Sequence, residues 1–171
     1  SFEVFDLPML FENQEHLNRV LDGEIGQNML AGLESKGYKG LGFALNVPID
    51  LFSKEEMSQL DQISGKKIRV HTAMLEASVK ALGGSPMTIA AGELYMALQQ
   101  GMIEGMLTTT SYAAPNKFSE VVKYMTDLDI SVTVYPILMN LQFWQNLSEE
   151  QKTAVQNAIR KSVEENRAQL L

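Results

Sequence analysis

The chain of 171 residues contains no cysteine. That excludes disulfide scaffolds, thiolate metal centres and cysteine nucleophiles, and it fits a reducing or an oxidising compartment equally. Histidine is nearly as scarce: His16 and His71 are the only two. They fall on different predicted elements, so a histidine-based triad or a multi-histidine metal site is hard to assemble. Positive charge is in deficit, with 14 basic against 21 acidic residues and a formal net charge of -7. Such a chain lacks the basic footprint that nucleic-acid binding requires. Long apolar runs are missing too. The stretch from Val132 to Leu141 is broken by Thr133, Pro136 and Asn140, far short of the roughly 20 residues that cross a bilayer, so the chain is not expected to span a membrane. There is no Gly-x-Ser-x-Gly, no phosphate-loop lysine motif and no His-Glu-x-x-His. The opening residues Ser1 to Asp6 carry no basic region and no initiating Met, which reads as a chain processed, tagged or cut from something longer.

What is present is core-forming material, 45% hydrophobic and 20% charged, enough for one domain or parts of two. Between Asn13 and Lys36, Leu17, Val20, Leu21, Ile25, Met29, Leu30 and Leu33 recur at helical spacing, with Gly23 interrupting and Gly37 ending the pattern. This predicts one bent helix or two short ones. Leu41, Phe43 and Leu45 share one parity and predict a strand over residues 38–45. Ser53 with Glu55 and Glu56 predicts a capped helix ending before Gly65. Lys66 to His71 alternates, placing Ile68 and Val70 on one face and Lys67, Arg69 and His71 on the other. Helices over 73–82 and 92–100, extended pieces over 86–90, 102–107, 120–125 and 130–141, and a final helix opened by the Ser148/Gln151 capping box complete the pattern. Val155, Ala158, Ile159, Val163 and Leu170 are expected to face inward on that last helix. Short strands alternating with helices of about ten residues are the α/β signature.

Most candidates for chemistry have plain structural readings. Gly83-Gly84 and Gly101 fit helix ends better than a nucleotide-binding turn, and the ten methionines lie among other apolar residues as core filling. Arg69 is harder to dismiss. It stands near the carboxyl end of a strand just before a helix start, where open α/β sheets bind ligands, and a guanidinium there matches a carboxylate. A solvated or surface-paired arginine is the alternative. His71, ending the same strand, is either a structural strand-end residue or a further donor to an anion.

Phe5 to Phe11, with Val20-Leu21-Asp22-Gly23 and Ile25-Gly26, resembles the middle of the DctP-like substrate-binding proteins of TRAP (tripartite ATP-independent periplasmic) transporters. Gly65 to Val70 resembles that family's arginine-bearing strand. Gly84-Ser85-Pro86 and Glu93 to Gly101 with Glu104-Gly105 resemble its signature block, and Phe118, Glu120-Val121, Lys123-Tyr124, Phe143-Trp144 and Leu147 to Gln151 keep its downstream order.

The resemblance implies a periplasmic-binding-protein-like, two-lobe α/β fold. Residues 1–45 would be part of the first lobe with a crossover helix, 46–110 the second lobe with the ligand arginine, and 111–171 returning segments. Family members carry further chain before and after the matching region, so this chain resembles an internal fragment holding mostly the second lobe. The implied function is noncatalytic capture of a small organic acid in the periplasm for TRAP permease membrane subunits, with no cofactor, no metal and no nucleic acid. By position the ligand arginine is Arg69. Met106-Leu107-Thr108 replaces a Gln-Glu-Asn of many members, so Thr108, with Thr109 beside it, takes the place of a ligand-contacting asparagine. His71 stands where proline is common and Ala91 where an aromatic is common, both at the pocket. Val47-Pro48-Ile49-Asp50 lacks the second arginine of sialic-acid binders. A ligand-sensing module of the same fold, and an enzyme using Glu93, Glu104 or His71, are the alternative readings.

Overall fold

The computed structural model describes residues 2–170. Contacts divide the chain into two interleaved units: one gathers the residues up to Leu10 with Val47–Thr133, the other Phe11–Asn46 with Val134 onward.

The first unit is built on strands β1 (Tyr38–Ser53), β2 (Lys67–Val70), β3 (Ser85–Thr88), β4 (Gly105–Thr109) and β5 (Tyr124–Thr126), in the order β3-β2-β4-β1-β5. β2 runs parallel to β3 and β4, while β1 is antiparallel to β4 and β5. Side chains alternate across a strand, and here both faces are covered. Ile49 and Leu51 of β1, Ile68 and Val70 of β2 and Leu107 of β4 pack with Leu75 and Val79 of helix α4 (Ala73–Ala81). Phe52 of β1 and Met106 of β4 pack oppositely, with Leu94 and Leu98 of α5 (Leu94–Gln99) and with Phe118 and Val122. Consequently three of the four β2 residues are buried, only Lys67 at its start being exposed. Arg69, expected on a polar face with Lys67, is only 8% exposed because the α5 layer covers that side.

Two further expectations differ in detail. Ser53 does not open a helix: it ends β1, its hydroxyl donating to the Glu55 carbonyl at 2.6 Å, and the helix that follows, α3, is Leu60–Ile63. The predicted strand over 38–45 continues as β1 to Ser53, since Ile49, Leu51 and Phe52 are core residues.

In the second unit, α1 (Gln14–Asp22) is capped by Asn13, whose Oδ1 accepts from the His16 N–H at 2.8 Å. A break at Gly23 separates it from α2 (Glu24–Ala31). Gly26 of α2 abuts the Leu21 backbone so closely that a Cβ there would collide with it. Strand β6 (Val132–Asn140) pairs β1, and helices α7 (Leu141–Gln145) and α8 (Glu149–Ala168) follow. The Ser148/Gln151 capping box opens α8 as expected. Asn166 of α8 extends the ladder of β1, accepting from Leu45 N–H at 2.8 Å and donating to the Leu45 carbonyl at 3.0 Å. Val155, Ile159 and Val163 are only half-buried, and Ala158, expected inward, is exposed. Arg167 meets Asp22 at 2.7 Å.

Candidate functional site

The candidate site forms in the first unit, at the carboxyl ends of the parallel strands β2, β3 and β4. In such sheets the chain leaves each strand for a helix whose N–H groups point back at the strand ends, which favours anions there. After β2, Thr72 caps α4, its hydroxyl accepting from Leu75 N–H at 3.3 Å. After β4, Thr109 caps α6 (Thr110–Ala113), accepting from Tyr112 N–H at 3.3 Å and sharing a 2.9 Å hydrogen bond with the Ser111 hydroxyl.

Arg69 lies in β2 in register with Met87 of β3 and Met106 of β4. Its Nε donates to the Ile89 carbonyl at 3.3 Å, just beyond β3. Burial pushes its pKa down, against the smaller effect of the Tyr112 phenol. Among the described residues no carboxylate forms an ion pair with it. A buried cation held by one backbone carbonyl is costly unless an anion completes it, and a guanidinium presents the planar fork suited to a carboxylate. The surface-paired alternative for Arg69 is therefore set aside.

Tyr112, whose phenol acts on Arg69, is tied to two other candidates: its hydroxyl donates to the Ala91 carbonyl at 3.5 Å and its backbone N–H donates to the Thr109 hydroxyl. Thr108 is buried one residue back on β4, opposite Asp50 of β1. Ala91 is exposed and opens the 3-10 turn Ala91–Glu93. His71 sits between β2 and α4 and remains accessible to solvent. Surrounding protein lowers its pKa first, the Arg69 charge lowers it further, and Asp6 opposes both. Sequence reasoning missed two members. Tyr112 gave no signal beyond following Thr109 by three residues. Asp6 belongs to a 3-10 turn, Phe2–Asp6, that is distant in sequence.

Other polar groups are engaged elsewhere. Glu104 accepts from Lys67 N–H at 2.6 Å, at the opposite end of β2 from His71. Glu93 is exposed, beside the buried stripe of Leu94, Ala97 and Leu98. Asp50, Asp127 and Asp129 bring carboxylate oxygens within 4.8 Å of one another, yet Asp50 already accepts from the Leu128 and Asp129 N–H groups at 3.0 and 3.2 Å, which accounts for its position as a loop brace. A cavity of about 360 Å³ in this unit is lined by Phe52, Ala113, Phe118, Val122, Lys123 and Met125 among others, and does not include Arg69.

The sequence matches the DctP family, described as bacterial extracellular solute-binding protein, family 7, over residues 1–170. The chain belongs to that family. It is 35% identical over 165 residues to a C4-dicarboxylate-binding periplasmic protein DctP of Rhodobacter capsulatus, covering 96% of this chain and 50% of that protein. Among solved structures, a TRAP periplasmic solute-binding protein of Shewanella oneidensis with bound succinate has a TM-score of 0.85 at 29% identity, covering 97% of this chain and 55% of that one. A sugar-acid-binding protein of Advenella mimigardefordensis in complex with galactonate has a TM-score of 0.87 at 31% identity, covering 98% and 55%. The DctP-family chain described here thus has the mixed α/β fold of TRAP solute-binding proteins and spans about half the length of the curated relatives it matches. Among the described residues no helix is long and apolar enough to cross a membrane.

Proposed function

We propose that this DctP-family protein captures a small organic acid in the periplasm, holds its carboxylate on Arg69 and passes it to TRAP permease membrane subunits without chemical conversion. The observation that carries this reading is the guanidinium of Arg69, buried at the carboxyl ends of three parallel strands with a backbone carbonyl as its acceptor and no acidic partner among the described residues. Thr108, Thr109 and His71 supply further polar contacts, and Ala91 leaves room where a larger side chain would narrow the pocket. In this reading the Arg69 unit is the second lobe and the remaining chain contributes to the first. The dicarboxylate and sugar-acid ligands of the relatives named above support a carboxylate as the recognised group.

Calorimetric titration with succinate and galactonate tests this. Arg69→Ala should weaken the bound acid by about thirtyfold or more, because an unpaired, desolvated carboxylate costs roughly 2 kcal/mol or above. Arg69→Lys should also lose much of the affinity, since an ammonium keeps the charge but not the fork. Unchanged affinity in Arg69→Ala would sink the assignment.

A further inference from the structure

Between β3 and α5 the chain passes through residues 89–91, and each of their three carbonyls has a donor. Arg69 Nε of β2 donates to the Ile89 carbonyl at 3.3 Å, the Glu93 N–H to the Ala90 carbonyl at 3.0 Å, and the Tyr112 hydroxyl of α6 to the Ala91 carbonyl at 3.5 Å. Residues 89 and 90 belong to no strand or helix, so these donors fix where the connection lies. The Arg69 and Tyr112 bonds are long and each alone is weak. Acting from β2 and α6 on carbonyls two residues apart, they tie the connection to both elements. Tyr112 is itself fixed. Its N–H donates to the Thr109 hydroxyl at 3.3 Å, its carbonyl accepts from Asn116 Nδ2 at 2.8 Å, and its ring lies against the buried Phe118 ring, centroids 5.8 Å apart. Packing accounts for the ring, which a phenylalanine would supply equally well. The hydroxyl needs another reason.

We propose that Tyr112 is a positioning residue for acid capture: by tethering residues 89–91 it keeps the Ile89 carbonyl on Arg69 Nε, so that the two terminal Nη groups are the pair presented to a carboxylate. This deepens, and rests on, the carboxylate reading of Arg69. A guanidinium can meet a carboxylate side-on, through Nε and one Nη, or end-on, through both Nη groups. With Nε already donating to Ile89, the side-on grip breaks that bond and strands a carbonyl, whereas the end-on grip keeps it. The tether bears on affinity because a connection released from Tyr112 drifts from Arg69 and leaves its side chain to sample several rotamers. A fork already held in one orientation loses less freedom when the acid arrives. The electrostatic effect of the phenol on Arg69 agrees with this proximity.

Tyr112→Phe keeps the ring on Phe118 and removes only the hydroxyl. Tyr95→Phe is its control, since Tyr95 also packs on Phe118, centroids 6.2 Å apart, but sends its hydroxyl to Glu120 at 2.8 Å. Two readouts combine: calorimetric titration with succinate, and NMR of the Arg69 Nε–H, its signal identified among those of the four arginines by its loss in Arg69→Lys. Tyr112→Phe should weaken succinate binding by about two- to fivefold, as expected for one neutral hydrogen bond. It should also speed solvent exchange of the Nε–H in the ligand-free protein, and Tyr95→Phe should do neither. Unchanged affinity in Tyr112→Phe, an equal loss in Tyr95→Phe, or unchanged Nε–H exchange overturns the positioning role and spares the Arg69 reading. In the wild type, saturating succinate should shift the Nη signals and leave the Nε–H resonance in place. A large displacement of the Nε–H shows a side-on grip and overturns the end-on presentation. No binding of succinate or galactonate to the wild type removes the Arg69 reading and this role with it.

Discussion

Arg69 shows how one residue acquires meaning from its surroundings. Its alternation partners on β2 are hydrophobic and face α4, which explains why the sequence pattern put the arginine on a polar face. Arg69 is nonetheless only 8% exposed, and the same guanidinium becomes a largely buried cation with no acidic partner among the described residues. Asp50 shows the opposite outcome, a buried carboxylate fully used by its own backbone. Burial raises its pKa, the Leu128 and Asp129 N–H groups hold it down, and Asp127 and Asp129 raise it again. Asp50→Asn should therefore keep the loop and gain stability at neutral pH by removing a buried charge. Asp50→Ala should lose about 1–3 kcal/mol by stranding two N–H groups. Urea denaturation of both variants checks the pair, and equal losses would refute the brace role. His71 carries a pH signature of its own: its folded pKa lies below the ordinary value, so the unfolded chain binds the proton first. Stability should fall as pH drops below 6.5 toward that lowered value. His71→Gln should lack this component of the stability profile.

At the scale of elements, the Ser148/Gln151 box was legible in the sequence, whereas the cap expected at Ser53 is not formed and the caps at Thr72 and Thr109 were not anticipated. Ser148 and Gln151 form their reciprocal box, and Thr72 and Thr109 cap the helices that leave β2 and β4 at the site. Thr72→Ala should cost roughly 1 kcal/mol as a lost cap, as read by urea denaturation. In the second unit, Gly26→Ala should destabilise by about 3 kcal/mol, because the added methyl meets the Leu21 backbone and not a flexible side chain. Thermal unfolding within a degree of wild type would contradict that close approach.

At the scale of the whole molecule, the chain is acidic, yet its proposed ligand is an anion. With a net charge of -7, the long-range field repels an approaching dicarboxylate, while Arg69 attracts it only at short range. Raising ionic strength should therefore speed association of succinate, as read by the salt dependence of its association rate constant in surface plasmon resonance. A rate that falls with salt would show that a local positive field reaches beyond the site. The interleaving of the two units also belongs to this scale. Residues up to Leu10 pack with the unit that otherwise begins at Val47, and it is this return of the chain that delivers the turn Phe2–Asp6 to α4.

The sequence by itself determined the α/β class, most elements, the Ser148/Gln151 cap and the family, because periodicity and that capping box depend on neighbours a few residues apart and because the block from Gly84 to Gly105 is long enough to be specific. It also pointed to Arg69, through its place at a strand end. Only the tertiary structure decided that Arg69 is buried and lacks an acidic partner among the described residues, that Tyr112 links Thr109 to Ala91, and that Ala158 faces solvent. Those outcomes depend on which layer covers which sheet face and on contacts between elements, such as those of Arg69 with Ile89 and of Tyr112 with Ala91, about twenty positions apart. Local spacing carries no record of either.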